Sequence, residues 1–131
     1  MREIKFRGQA RGEWVHGSLI VCEDGHCVIN WVDGLRHVST DIGVVSETVG
    51  QFTGLTDANG QEIYEGDVVA FSDYEGTTHK GKVYFRDGAF FITQPGMEYG
   101  YRLYALVKLY YPAFVIGNVH DTPELLLEVH A

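Results

Sequence analysis

Asn59-Gly60 constrains this chain more than any other pair of residues. Val49, Gln51, Phe52, Thr53 and Leu55 lie on one side of it, and Gln61, Glu62, Ile63 and Tyr64 on the other. An Asn-Gly pair between such arms predicts a β-hairpin with a type I′ turn, because both residues tolerate the positive φ that turn needs. Asp57 is expected to end the first arm with an Asx-type turn. Tyr64-Glu65-Gly66-Asp67 then leads into Val68-Val69-Ala70-Phe71. Gly66 can turn the chain where a side chain would clash. Asp67 can accept hydrogen bonds from backbone N–H groups as the next strand begins.

The rest of the chain reads as strands and turns. Ile4 and Phe6 alternate with Glu3, Lys5 and Arg7, the period of a half-buried strand. Residues 8–12 read as a turn and 14–21 as a second strand, in which Gly17 marks a bulge or a close backbone approach. Asp24-Gly25 signals another hairpin, and a two-residue loop there would set Cys22 opposite Cys27. Residues 28–32 continue as a strand, Asp33-Gly34 turns, and 35–38 return as a strand. Residues 40–45 fit either a short strand or an irregular link. Residues 72–80 read as a surface loop. Two strands, 81–85 and 89–92, meet at Asp87-Gly88. In residues 99–111, Leu103, Leu106, Val107 and Tyr110 fit a helical stripe, while Leu103, Ala105, Val107 and Leu109 fit a strand face. Pattern alone does not separate the two; the expectation is a strand or a single helical turn. Residues 114–119 form a strand with a bulge at Gly117. Thr122 suits an N-cap, Pro123 the first helical position and Glu124 the positive end of a helix dipole, so a short helix closes the chain.

At 131 residues the chain fits one compact unit. A soft boundary separates an N-terminal β subdomain, residues 1–48, from residues 49–131, since no flexible linker intervenes. No apolar run reaches the length of a membrane helix. The N-terminus has no apolar signal-peptide core, so a cytoplasmic location without membrane contact is expected. The formal net charge of −8 disfavours nonspecific binding to a nucleic-acid backbone. The charge is uneven, because Arg2, Lys5, Arg7 and Arg11 outweigh Glu3 at the start. The plain reading is an edge strand protected by charge. The sharper one makes Lys5, Arg7 and Arg11 a basic arm for an acidic partner or the acidic face of a second subunit.

Chemistry is harder to find. Phosphate-cradling loops, zinc-protease spacings and nucleophile elbows are all missing from the sequence. The six histidines are scattered. His120 and Asp121, adjacent on an extended chain, would point to opposite faces. Asp57, Glu62, Glu65 and Asp67 form an acidic cluster that turn chemistry explains more simply than a cation does. Cys22, His26 and Cys27 lack a fourth ligand for zinc, and a cytosolic setting keeps the two thiols reduced. No catalytic residue, metal or cofactor is therefore expected. Tyr84, Phe85, Phe90 and Phe91 read as core and rim. Tyr74, Tyr99 and Tyr101, in or beside loops, are candidates for contact with a partner, given the enrichment of tyrosine in interfaces.

Three blocks carry a family resemblance over nearly the whole chain. They are R-E-I-K-F-R-G with G-E-W-V-H-G-S-L, the block T-V-G-Q-F-T-G-L-T-D-A-N-G-Q-E-I-Y-E-G-D-V-V, and V-I-G-N-V-H-D-T-P-E-L-L. Together they resemble the YopX family of small bacteriophage and prophage proteins. The resemblance implies a mainly β fold with an SH3-like small barrel in the C-terminal part, to which the turns at Asn59, Gly60, Gly66, Asp67 and Gly117 would belong. The residues add an N-terminal strand-rich extension and the short C-terminal helix. The family brings no established activity, so no catalytic residue carries over. The expectation is a non-enzymatic interaction or assembly module with a protein partner, able to form a homo-oligomer. A small barrel that binds nucleic acid is the alternative.

Overall fold

The structure is a computed structural model that describes residues 3–73, 75–94, 100–109 and 112–127. Its strands are β1 (Phe6–Ala10), β2 (Glu13–Val21), β3 (Cys27–Asp33), β4 (Val38–Thr56), β5 (Glu62–Tyr64), β6 (Asp67–Ser72), β7 (Thr78–Arg86), β8 (Ala89–Thr93), β9 (Tyr101–Arg102) and β10 (Ala113–Asn118). The described residues also include two short helices, α1 (Leu103–Leu109) and α2 (Glu124–Leu127). The protein is mainly β and its strands pair antiparallel. It divides into two compact units, Met1–Phe52 and Thr53–Ala131, with the division inside β4.

In the first unit, two strands each serve two partners. β2 pairs with β1 from Glu13 to Gly17 and with β3 from Ser18 to Val21. β4 pairs with β3 from Val38 to Val44 and with β1 from Val45 to Gln51. The pairings therefore run from β1 through β2, β3 and β4 back to β1. Cys27, Ile29 and Val44 are buried inside, packed by Phe6, Ala10, Val15, Leu19 and Val49. Gly17 makes the close approach anticipated for it, since a Cβ there would overlap the Asn30 carbonyl. Its pairing shows no register shift, so it is not a bulge.

Three turns here differ from expectation. Gly8 belongs to β1, and the turn is Arg11-Gly12 alone, with φ of 54° and 81°. Gly8 is needed within the strand because a Cβ there would lie 2.8 Å from Val44 Cγ2. At Asp24-Gly25 the loop has one more residue than expected. Cys22 N–H donates to His26 O at 2.8 Å and Val21 faces Cys27, so the two cysteines are not cross-strand partners. Cys22 is exposed and Cys27 buried. After Asp33 the chain does not return at once as a strand. The Asp33 carboxylate accepts from the Leu35 and Arg36 amides, at 2.9 and 3.4 Å, taking donors that a ladder would have used. His37, at φ 56°, completes the turn and β4 starts at Val38.

In the second unit the end of β4 and β5 form the hairpin around Asn59-Gly60. Its turn is not type I′, because only Gly60 has positive φ, at 81°. Asp57 N–H donates to Gln61 O at 2.8 Å, and Gly60 N–H to Asp57 O at 3.0 Å, which makes a three-residue loop. The second sheet runs in the order β10-β6-β7-β8-β9. Asp87-Gly88 forms the expected two-residue turn, with φ of 50° and 82°. β7 begins at Thr78, inside the segment expected to be loop. Residues 103–109 settle as a helix longer than one turn: Leu103 and Leu106, three residues apart on one face, are both buried. With Ile63, Val69, Phe71, Val83, Ile92 and Ala113 they form this unit's core. The bulge at Gly117 is present as a register shift between Val115 and Gly117. The Thr122 hydroxyl turns back to Asn118 O at 3.1 Å, and α2 begins at Glu124.

Candidate functional site

The acidic cluster is built into backbone. Asp57 is buried, and its Oδ1 accepts from Asn59 N–H at 2.8 Å and Gln61 N–H at 2.9 Å. Its Oδ2 accepts from Val115 N–H at 2.9 Å, while Ala58 N–H donates to Ala113 O at 3.0 Å. The Asn59-Gly60 loop thus lies along the edge of β10 that does not face β6, and it satisfies one donor and one acceptor that an edge strand would otherwise expose. Asp67, also buried, accepts from Tyr64 N–H at 2.8 Å. Gly66, at φ 90°, donates to Val83 O and accepts from Val119 N–H, both at 2.9 Å. Asn59, Gly60, Gly66, Asp67 and Gly117 are therefore fold devices. Among the described residues no three His, Cys, Asp or Glu side chains gather as metal ligands.

The basic stretch does not form one arm. Lys5 pairs with Glu3 at 3.1 Å and holds its Nζ 5.0 Å from the centre of the Phe52 ring. Arg7 is only 8% exposed, with its guanidinium 4.2 Å from the centre of the Trp14 ring. Arg11 stands apart on an exposed turn. Of the candidate tyrosines, Tyr74 and Tyr99 lie outside the described residues. Tyr101 is partly exposed and meets the Phe71 ring edge-on at 5.6 Å.

Beside Tyr101 lies a polar clasp that sequence reasoning missed. His79 stacks on Phe71 at 5.4 Å. Its Nε2 is 2.8 Å from Asp73 Oδ2, and its Nδ1 is 3.1 Å from Gln94 Nε2. The hydrogen bond from His79 holds the Asp73 carboxyl below its ordinary pKa against partial desolvation, and the Thr77 and Glu75 amides add to the effect. Both ring nitrogens are engaged, so the arrangement ties the β6–β7 loop to the end of β8. The one signal in the sequence was an Asp three residues before a Gly, the spacing that also makes the Asp57 loop.

The surface that stands out is the end of the β3–β4 hairpin. The pairing of β3 with β2 stops at Asn30, so residues 31–33 of β3 pair with β4 alone. This two-stranded ribbon carries Trp31 at 47%, Val32 at 60%, Leu35 at 95% and Val38 at 52% exposure. The register sets Trp31 and Val38 on one face of the ribbon and Val32 on the other, and an isolated two-stranded ribbon gains little stability of its own. An open groove of about 800 Å³ lies where β4 swings from β3 to β1, with Cys27 and Val44 in its lining and Arg11, His26, Asp41 and Glu47 around it. Its charges are mixed, and no chemistry converges there.

Comparison with known proteins gives two findings. The family model described as "YopX protein" matches residues 5–127. The chain is similar in structure to protein EF1440 from Enterococcus faecalis, solved by crystallography, with 24% sequence identity and a TM-score of 0.57. That likeness covers 96% of this chain and 99% of the other. Among the curated proteins none matches.

Proposed function

The chain belongs to the YopX protein family, and on that premise we propose that it is a non-enzymatic interaction or assembly module. It is encoded by a phage or prophage and works in the cytoplasm of a bacterial host, with a protein partner and as a homo-oligomer. The observation that carries this reading is the β3–β4 ribbon, whose Trp31, Val32, Leu35 and Val38 side chains face solvent. Burying a leucine at an interface contributes about 2 kcal/mol, enough for one such residue to decide an affinity. The β10-β6-β7-β8-β9 order supports an SH3-like second unit, because the last strand returns beside the first and a short helix precedes it. No helix is long and apolar enough to cross a membrane among the described residues.

The test is affinity capture of the tagged full chain from host cells after nuclease treatment, beside a Trp31→Ser/Leu35→Ser variant. The expected result is a protein, or a second copy of the chain, that survives nuclease and is lost with the variant. Circular dichroism and the urea midpoint should stay unchanged. Capture that is equally strong with the variant would remove the ribbon from the reading.

A further inference from the structure

The chain carries ten Lys and Arg residues, and Lys80, Lys82, Arg86, Arg102 and Lys108 are those of the second unit. The sheet register brings four of them to one face. On β7, Lys80, Lys82, Tyr84 and Arg86 alternate with Gly81 and Val83, which are buried. Across the ladder Tyr84 faces Phe91, and Phe91 faces Arg102. This face of β7-β8-β9, which α2 flanks at β7 beside Lys82, therefore carries a row of cations around two aromatic rings, with Arg86 and Arg102 exposed and Lys80 and Lys82 half-buried. Tyr84 and Phe91 stack at 5.7 Å, neither of them fully buried. They line a shallow cleft of about 90 Å³ with Arg86, Asp87 and Gly100. At its rim Gly100 keeps the backbone low, because a Cβ there would overlap the Ile92 carbonyl and lie 3.2 Å from the Tyr84 hydroxyl. Asp87 moderates the row by pairing with Arg86 at 3.3 Å.

We propose that this face binds single-stranded nucleic acid, with a base on the Tyr84–Phe91 platform and phosphates beside Lys82 and Arg102. An aromatic face takes any unpaired base, and flanking cations follow the backbone. An acidic protein segment would use the cations but has no need of the flat rings. A duplex hides its base faces and would use the cations alone. The net charge of −8 does not exclude such contact, because salt screens exposed charges beyond about 8–10 Å and the local row governs the approach. The proposal uses none of the residues of the β3–β4 ribbon, so this inference stands or falls independently of the protein partner proposed above.

The experiment is fluorescence anisotropy of a labelled oligothymidine with the purified full chain across a salt series. A duplex of the same length and polyglutamate serve as competitors. The expected result is binding at low salt that weakens steeply as salt rises, with oligothymidine preferred over both competitors. Lys82→Gln/Arg102→Gln should weaken binding about tenfold or more and flatten the log–log salt slope by about 1.4, two single-strand phosphate contacts. Tyr84→Leu should weaken it roughly tenfold with the slope kept. Lys108→Gln, on α1, should change nothing. The cation pair carries the test if Tyr84→Leu fails to fold by circular dichroism. No binding at low salt overturns the proposal, as does binding indifferent to the cation pair. Displacement by polyglutamate with Tyr84→Leu at full affinity would make the face an acidic-protein surface instead.

Discussion

Asp57 offers the sharpest test of how the second unit is held together. One carboxylate oxygen serves the loop amides of Asn59 and Gln61, and the other serves Val115 on β10. Asp57→Asn separates the two tasks. The amide oxygen can still accept from Asn59 and Gln61, but the amide nitrogen would point a donor at the Val115 N–H. A lost hydrogen bond to a charged group, with a half-buried donor left stranded, costs about 2–3 kcal/mol. Asp57→Ala loses all three bonds. Asn59 and Gln61 are exposed, so water can replace their partner at a cost near 1 kcal/mol each, for a total of about 4–5 kcal/mol. A domain is stable by only about 5–15 kcal/mol, so the alanine variant should stand close to unfolding. Urea unfolding followed by circular dichroism measures the ranking. Amide exchange localises it: in Asp57→Asn, Val115 should lose protection far more than Gln61. If Asp57→Asn matches the native chain, or equals Asp57→Ala, the division of labour between the two oxygens is wrong.

Other residues allow shorter tests. Arg7→Gln should cost roughly 1–3 kcal/mol, because it removes a buried cation from the Trp14 ring. Arg11→Asn should instead add about 0.5–1 kcal/mol by easing a positive φ; urea midpoints that move together would refute the contrast. Gly17→Ala and Gly81→Ala should each cost about 2–4 kcal/mol, since the first meets the Asn30 backbone and the second meets Cγ2 of the fully buried, β-branched Ile92 and the Thr93 carbonyl. An unchanged thermal midpoint in either variant would contradict that. Asp73 has a depressed pKa, chiefly through its hydrogen bond from His79. Its clasp should therefore be fully present above the unfolded carboxylate value, about 3.9, and weaken as pH falls through the lower folded value. In Asp73→Asn that acid-limb dependence should vanish from the exchange of the Thr77 amide. An unchanged profile would show that another group sets it.

Much of the architecture was legible because turn chemistry is local. Asp87-Gly88 needs only its own two residues to form a two-residue turn, and it forms one. The Asn59-Gly60 hairpin was legible but its turn type was not. Asp57 takes the Asn59 amide and holds that residue out of the left-handed region, so a side chain two positions away overrides the dipeptide preference. The same logic moved the β3–β4 turn, where Asp33 captures two amides that a strand would have used. Leu103 to Leu109 became a helix because it covers a sheet face that already holds Val83 and Ile92, a fact about packing that periodicity does not contain.

The surfaces were less legible, and for a different reason. Whether a residue faces in or out depends on where its strand begins and on what lies across the ladder. Reading residues 72–80 as a loop placed Lys80 outside any alternation, and the uncertainty over 99–111 left Arg102 without a face. Only the register Tyr84–Phe91–Arg102 makes one surface of them. Arg7 shows the converse error. Its charge reads as solvated in the sequence, yet β1 is paired on both sides, with β2 and with β4, so it is not an edge. The guanidinium is drawn in over Trp14. A charge run is thus evidence of a binding surface only when its side chains stay accessible, and Arg86 on β7 and Arg102 on β9 are exposed where Arg7 on β1 is buried.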